Sequence, residues 1–139
     1  MKLITAIVKP DIVDDLVPAV TEAGAHGLTV SEAIGFGQQF GHGGAVSSTG
    51  YSAVLLPKVR LDIVVKDEDA EPVAEAIAKG ANTGTIGDGK IWVTTVDSAL
   101  RVRTGERDDA ALYPPDAATP RSREPVARPG RLPGGVPVR

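Results

Sequence analysis

The chain repeats one order of predicted elements, strand then helix then strand, in two stretches of similar length. The four predicted strands are LITAIV at 3–8, LTVSEAIGF at 28–36, KVRLDIVVKD at 58–67 and KIWVTTV at 90–96. The third is the clearest, because Val59, Leu61, Ile63 and Val65 would share one face and Arg60 and Asp62 the other, as in a strand with one buried face. This order of elements predicts a fold in which helices pack on a β-sheet.

Apolar residues between the strands recur at helical spacing. The first predicted helix tolerates Pro18 if it starts near Asp14, whereas a proline deeper in the helix would kink it. The second, at 67–81, opens with acidic residues and has Pro72 early, and both features favour the first turn of a helix. The order βαββαβ predicts an α+β, ferredoxin-like domain with a four-stranded sheet and both helices on one face.

Composition assigns this domain to residues 1–112. Residues 113–139 hold most of the prolines and almost no large apolar side chains, which predicts a disordered tail rich in proline and arginine. The positive tail could dock on its own acidic domain or on an acidic partner, but a solvated tail is the simpler interpretation.

Charge and cysteine content exclude several classes of protein. The formal net charge of -3 argues against nucleic acid as the partner, and the absence of cysteine excludes disulfides and thiolate metal sites. The first apolar run stops at Lys9 and Pro10, short of a signal peptide or a membrane span, so we expect a cytoplasmic protein.

The stretch ANTGTIGDGKI at 81–91 is the sharpest local motif. Gly84 to Lys90 matches G-x-x-x-x-G-K, in which backbone amides converge on phosphate and the lysine adds a charge. The motif does not predict a P-loop NTPase, because Ile91 replaces the hydroxyl that would hold Mg²⁺ and the motif leads into a strand. A glycine-rich anion-binding turn and an ordinary connection both remain open.

Two arginines follow the last strand. On an extended strand Arg101 and Arg103 would point to one side, where with Lys90 they could neutralise a polyphosphate, although a solvated pair is the alternative. Gly35, Phe36 and Gly37 offer a second backbone approach at a strand end.

Catalytic constellations are missing from the sequence. Neither His26 nor His42 has a spacing partner, and no cysteine or histidine cluster supports a transition metal. We therefore expect a protein that is not an enzyme. The stretch of about twenty residues before Lys58 is rich in Gly, Ser and Thr, and so long a loop is usually functional or disordered.

Five blocks together resemble the PII family of nitrogen-regulatory signal-transduction proteins. They are MKLITAIVKP, LTVSEAIGFG, LPKVRLDIVV, TGTIGDGKIWV and RVRTGE, and the match runs without gaps from Met1 to about Leu112. The resemblance implies a compact homotrimer that binds ATP or ADP competitively between subunits, as allosteric ligands. It also implies Mg²⁺ bound with ATP, 2-oxoglutarate as effector, and a regulated enzyme or membrane transporter contacted through the long loop between strands 2 and 3, the T-loop.

The resemblance also assigns site residues. The nucleotide-binding residues would be Ile7, Thr29, Gly35, Phe36, Gly37, Asp62, Val64, Gly87, Asp88, Gly89, Lys90, Arg101 and Arg103. The effector would contact Gln39, Gly41 and Lys58, Mg²⁺ would be held by Gln39 together with ATP and the effector, and Tyr51 would be the modified residue.

The departures from the family lie mainly in the T-loop. Gln38 and Phe40 stand where the family has basic residues, and Ser47 replaces the arginine that plugs an ammonium channel, so partners cannot be transferred. Three alternatives therefore stay open: a relative that senses AMP or ADP with a carbon-linked effector such as bicarbonate, a small phosphate-handling enzyme, and a trimeric scaffold recognised through its tail.

Overall fold

A four-stranded antiparallel sheet forms the centre of the protein. The computed structural model describes residues 1–37 and 55–114. In this part of the chain the strands are β1 (Lys2–Val8), β2 (Thr29–Gly35), β3 (Leu56–Val65) and β4 (Gly89–Thr95), in the spatial order β2-β3-β1-β4. The helices are α1 (Val13–Glu22), α2 (Asp67–Ala81) and the short α3 (Asp109–Leu112), and a 3₁₀ turn, Pro10–Ile12, precedes α1. The predicted α+β class and βαββαβ order are confirmed.

Alternation along the two central strands creates the core. Ile4 of β1 pairs with Ile63 of β3 and with Val93 of β4, so apolar residues of neighbouring strands share the face that the helices cover. The buried residues on this face are Ile4, Ala6, Val8, Val59, Leu61, Ile63 and Val65. The apolar face predicted for β3 is therefore confirmed, and the polar alternate residues lie on the opposite, uncovered face.

Both long helices pack on the covered face. Leu16 and Val20 of α1 and Val73 and Ile77 of α2 are almost completely buried in the same cluster. Burying such a side chain stabilises the fold by about 1.5–3 kcal/mol, so these four residues contribute much of the free energy that holds the helices on the sheet.

Each long helix carries a proline at its sixth residue. Pro18 in α1 and Pro72 in α2 are exposed, and each lacks the N–H that would bond to the carbonyl four residues earlier. The first-turn position expected for Pro72 is therefore wrong, since it lies in the second turn. Both helices continue through the proline because the ring faces water, which can solvate the freed carbonyl.

The segment after β4 corrects the expected extended arrangement of the arginines. Residues 102–104 form a turn, closed by hydrogen bonds from Arg101 N to Glu106 O and from Gly105 N to Arg101 O, both 2.9 Å. Gly105 has a φ of 74°, a conformation that glycine adopts without strain. Arg101 and Arg103 therefore do not lie on one side of a strand.

Two predicted segments lie largely outside the described residues. Residues 38–54 contain most of the predicted T-loop, with Gln39, Gly41 and Tyr51, and residues 115–139 contain most of the predicted tail. Tyr113, which composition assigns to the tail, is half-buried against the domain, so the packed structure continues at least one residue beyond Leu112. Within residues 1–37 and 55–114, no helix is long and apolar enough to cross a membrane.

Candidate functional site

A cavity of about 390 Å³ lies where β1 and β2 end and β3 and β4 begin. The antiparallel register brings these strand ends together, because Val8 pairs with both Val59 and Gly89. The lining residues are Ile7, Gly35, Phe36, Gly37, Lys58, Ile86, Gly87, Gly89, Lys90 and Trp92. The motif residues of the glycine-rich turn and the glycines at the end of β2 therefore surround one volume, together with the predicted effector lysine.

Glycine is required in the turn for a geometric reason. Gly87 and Gly89 have φ values of 100° and 109°, a backbone conformation that residues with a Cβ rarely adopt. A Cβ built on Gly89 would lie 1.8 Å from the carbonyl oxygen of Ile7, so the turn runs directly against β1. Gly87 and Gly89 both line the cavity, so the backbone of the turn forms part of its wall, and a glycine-rich turn of this kind can bind an anion.

Asp88 fixes the turn from its other side. Its carboxylate accepts hydrogen bonds from the amides of Thr83, at 2.8 Å, and Gly84, at 3.0 Å, and from the Thr83 hydroxyl. These bonds, led by the one from the Thr83 hydroxyl, hold the pKa of Asp88 well below its usual range. Asp88 is not among the cavity-lining residues, so its carboxylate supports the turn and does not form part of the cavity wall.

Lys9 completes this support and was missed by sequence reasoning. Its Nζ lies 3.1 Å from Asp88 Oδ1 and donates to the hydroxyls of Thr83, at 3.2 Å, and Thr85, at 2.7 Å. No local sequence signal marks Lys9, because its place beside the turn depends on the pairing of Val8 with Gly89 in the sheet. The lysine therefore ties the end of β1 to the loop before β4.

Positive charge and an aromatic side chain complete the first cavity. Lys58 Nζ donates to the carbonyl of Gly87 at 2.8 Å, which places its ammonium beside the turn. Lys90 pairs with Ile7, and Trp92 pairs with Thr5, so both project from the uncovered face of the sheet. Trp92 was not predicted as a site residue. The cavity can accept an anion against Lys58 and Lys90 and an apolar ring against Ile7, Phe36 and Trp92.

A second cavity, of about 540 Å³, lies at the opposite end of the sheet. Its lining residues are His26, Gly27, Val64, Arg101, Arg103, Ala111, Leu112 and Pro114. Val64 of the second cavity pairs with Leu3, whereas Lys90 of the first pairs with Ile7. Leu3 and Ile7 are four residues apart on β1, so the two cavities are separated by about 13 Å along the strand. One chain therefore does not bring the two arginines to the glycine-rich turn, and the predicted nucleotide residues divide into two groups.

Thr29 and Asp62 lie on the uncovered face near the second group and pair with each other across β2 and β3. The Asp62 carboxylate accepts hydrogen bonds from Arg60 Nε, at 2.8 Å, and from the hydroxyl of Thr5, at 2.9 Å. The bond from Arg60 is the main reason that the pKa of Asp62 is lowered. Asp62 is therefore an ionised acceptor with two internal partners.

Arg101 is turned inward. Its Nη1 donates to Glu106 at 2.5 Å, its Nε and Nη2 donate to the carbonyl of Ala111, and Nη2 also donates to the carbonyl of Tyr113. Arg103 is exposed on the same turn. Among the described residues, no group of three or more His, Cys, Asp or Glu side chains could hold a metal ion.

Comparison with known proteins identifies the family. The family model described as nitrogen regulatory protein P-II matches residues 1–106. The chain is 45% identical over 112 residues to nitrogen regulatory protein GlnK of Escherichia coli, covering 81% of this chain and 100% of GlnK. It is 49% identical over 106 residues to nitrogen regulatory protein P-II of Rhizobium meliloti, covering 76% of this chain and 95% of that protein. It is 45% identical over 112 residues to nitrogen regulatory protein P-II 2 of Methanothermobacter thermautotrophicus, covering 81% of this chain and 97% of that protein. The resemblance read from the five sequence blocks is confirmed, and the chain belongs to the P-II family of nitrogen regulatory signal-transduction proteins.

Proposed function

We propose that the protein is a cytoplasmic homotrimeric sensor that binds ATP or ADP between neighbouring subunits and regulates a target protein without catalysing a reaction. One observation carries the proposal: most of the predicted nucleotide-binding residues line one of two cavities at opposite ends of the sheet, with the glycine-rich turn at the first and Arg101 and Arg103 at the second. A second copy of the chain placed against the first can bring the arginine group of one subunit to the glycine-rich turn of the next. Head-to-tail interfaces of this kind form a closed ring when the rotation between neighbours closes, and three copies related by a threefold axis would do so.

Each group has a distinct role in this proposal. The turn with Gly87, Gly89 and Lys90 binds phosphates through backbone amides and one ammonium group. Arg101 and Arg103 of the neighbouring subunit add charge-assisted hydrogen bonds to the same phosphates. The remaining predicted residues line the base and ribose, and they are Ile7, Thr29, Gly35, Phe36, Gly37, Asp62 and Val64. Asp88 acts through the turn that it holds.

The effector site is proposed to lie beside the phosphates. Lys58 is bonded to the carbonyl of Gly87, so an anion that contacts the Lys58 ammonium also lies next to the phosphate-binding turn. We propose 2-oxoglutarate as this anion, with Gln39 and Gly41 as further contacts and with Mg²⁺ held by Gln39, ATP and the effector. The target enzyme or transporter would contact the T-loop, in which Tyr51 is the proposed modified residue.

Calorimetric titration with ATP, ADP and AMP, each with and without 2-oxoglutarate or bicarbonate, tests the ligands. We expect ATP and ADP to bind, and ATP binding with Mg²⁺ to strengthen when 2-oxoglutarate is present. Tight AMP binding combined with a bicarbonate effect would instead favour the carbon-linked relative, and rapid nucleotide turnover would favour an enzyme. The absence of adenine-nucleotide binding below millimolar concentration would refute the proposal.

Subunit mixing tests where the site is built. Lys90→Ala removes the ammonium of one group and Arg103→Ala removes a guanidinium of the other, so each variant alone should bind ATP weakly. After equal mixing and reassembly, about one quarter of the sites should regain both intact groups if each site lies between subunits. A site within one subunit would regain none. Lys79→Ala, on α2 away from both cavities, is the charge-matched control.

A further inference from the structure

Tyr113 anchors the C-terminal end of the domain. Its hydroxyl donates to Asp69 Oδ2 at 2.5 Å and accepts from the backbone amide of Lys66 at 3.2 Å. The Lys66 ammonium lies 4.3 Å from the centroid of the tyrosine ring, and the His26 ring meets it edge-on at 4.5 Å between centroids. Burial raises the pKa of Tyr113 to about 12, so the hydroxyl remains a donor above neutral pH as well as at it. We call residues 109–113 the C-terminal latch.

Arg101 joins this latch to the turn that carries both arginines. Its guanidinium donates to the carbonyls of Ala111, at 3.0 and 3.2 Å, and of Tyr113, and to the Glu106 carboxylate. The side chain is only 20% exposed. These partners occupy all three nitrogens of the guanidinium, so a two-pronged contact with phosphate requires some of these bonds to break. Arg103, exposed on the same turn, can meet a phosphate without that rearrangement.

We propose that nucleotide phosphate and the C-terminal latch compete for Arg101, so that ATP binding loosens the latch and a closed latch lowers ATP affinity. The inference rests on the proposed nucleotide site and adds a mode of regulation to it. Two of the Arg101 partners are carbonyls within the latch, so withdrawing one side chain weakens the attachment of the whole segment. The coupling is reciprocal, because two events that draw on one group affect each other equally.

The latch gives this competition a consequence beyond the nucleotide cavity. Pro114 lines the second cavity beside Arg101 and Arg103, and the arginine-rich residues 115–139 begin immediately after it. Loosening Tyr113 therefore frees the point at which this segment is attached to the domain. In this way the nucleotide state of the cleft acts on the attachment point, Pro114, of the positively charged C-terminal segment.

Affinity measurements on two Tyr113 variants test the competition. Tyr113→Phe removes only the hydroxyl bonds, and Tyr113→Ala also removes the ring contacts, so ATP affinity by calorimetry should rise in that order. We expect a total increase of about three- to thirty-fold, equivalent to the loss of one or two hydrogen bonds. The control, Thr21→Val, removes a hydroxyl bond within α1 and should leave affinity unchanged. Unchanged or weaker ATP binding by a folded Tyr113→Phe variant would overturn the proposal.

Hydrogen exchange of the wild-type chain gives a second readout. The Lys66 amide donates to the Tyr113 hydroxyl, and the Ala111 amide donates to the carbonyl of Asp108, so both amides report a closed latch. Saturating ATP should speed exchange at both amides, whereas slower or unchanged exchange would refute the competition. If the wild-type chain fails to bind ATP in the same preparation, the proposed nucleotide site fails as well. ATP binding without a latch response refutes only this inference.

Discussion

Gly89→Ala offers a direct test of how the glycine-rich turn is built. Gly89 is the first residue of β4, pairs with Val8 and has a φ of 109°. A Cβ at this position would lie 1.8 Å from the carbonyl oxygen and 2.8 Å from the carbonyl carbon of Ile7, and 3.2 Å from Val8 Cα. All three are backbone atoms of a central strand, so no rotation of a side chain can relieve the overlap.

The expected loss of stability has two parts. Forcing alanine to a positive φ costs about 1–2 kcal/mol. Relieving the overlap requires the end of the ladder between β1 and β4 to open, and each hydrogen bond lost there costs about 1 kcal/mol. We therefore expect the free energy of unfolding to fall by about 3 kcal/mol. Gly84→Ala is the matched control, because Gly84 also has a positive φ, of 75°, but a Cβ there meets nothing within 4 Å.

Urea unfolding of both variants measures the difference. Protein concentration must be held constant, because the proposed association of subunits would shift the apparent stability. We expect Gly84→Ala to lose only the backbone strain, about 1–2 kcal/mol, and Gly89→Ala to lose clearly more. Equal losses at the two positions would refute the reasoning, since they would show that the close approach of the turn to β1 contributes nothing. Gly89→Ala should also weaken nucleotide binding, because the turn that lines the cavity must move.

Three further predictions concern other parts of the domain. The pKa of Asp88 in the folded state lies below 3.8, so its hydrogen bonds stabilise the fold above that pH and are lost as the pH falls. Between about pH 5 and about pH 2, the free energy of unfolding should therefore decrease less in Asp88→Asn than in the wild type. Parallel pH curves for the variant and the wild type would contradict this. Pro18→Ala should raise the free energy of unfolding by about 1–2 kcal/mol, because it restores a helical N–H at an exposed position, partly offset by a more flexible unfolded chain. Urea unfolding measures this as a higher midpoint, and an unchanged midpoint would show that α1 has no missing bond to regain. Trp92 is the sole tryptophan, lines the first cavity and is 43% exposed, so its fluorescence should change with ATP along the calorimetric isotherm. Trp92→Phe should still bind ATP but show no tryptophan fluorescence change. If the wild type gives a calorimetric binding signal without a fluorescence change, the first cavity is not part of the nucleotide site.

Periodicity was sufficient for the sheet and the long helices. The alternation of Val59, Leu61, Ile63 and Val65 predicts a half-buried strand, and these four residues lie in the core. The position of the glycine-rich turn between α2 and β4 also followed from the order of the elements. The roles assigned to Gln39, Gly41 and Tyr51 stay predictions, because these residues lie outside the described part of the chain.

The same alternation was misleading after β4. Leu100 and Val102 alternate with Arg101 and Arg103, as in a strand, but Val102 is 96% exposed because the chain reverses at Gly105 and the turn buries no apolar face. Composition was equally misleading at Tyr113, since a window rich in proline outweighs one aromatic residue. The partner that holds this tyrosine, Asp69, lies 44 residues earlier in the chain.

The sequence by itself determined the family, the βαββαβ order and the residue types that can bind phosphate, because local periodicity and glycine motifs are properties of neighbouring residues. Only the tertiary structure decided that these residues divide between two ends of one sheet, that Asp88 and Lys9 support the turn from behind, and that Arg101 is held by the C-terminal latch. The physical reason is the antiparallel register: it places Gly89 against Val8 and Val64 against Leu3, pairings between distant residues that no local pattern encodes.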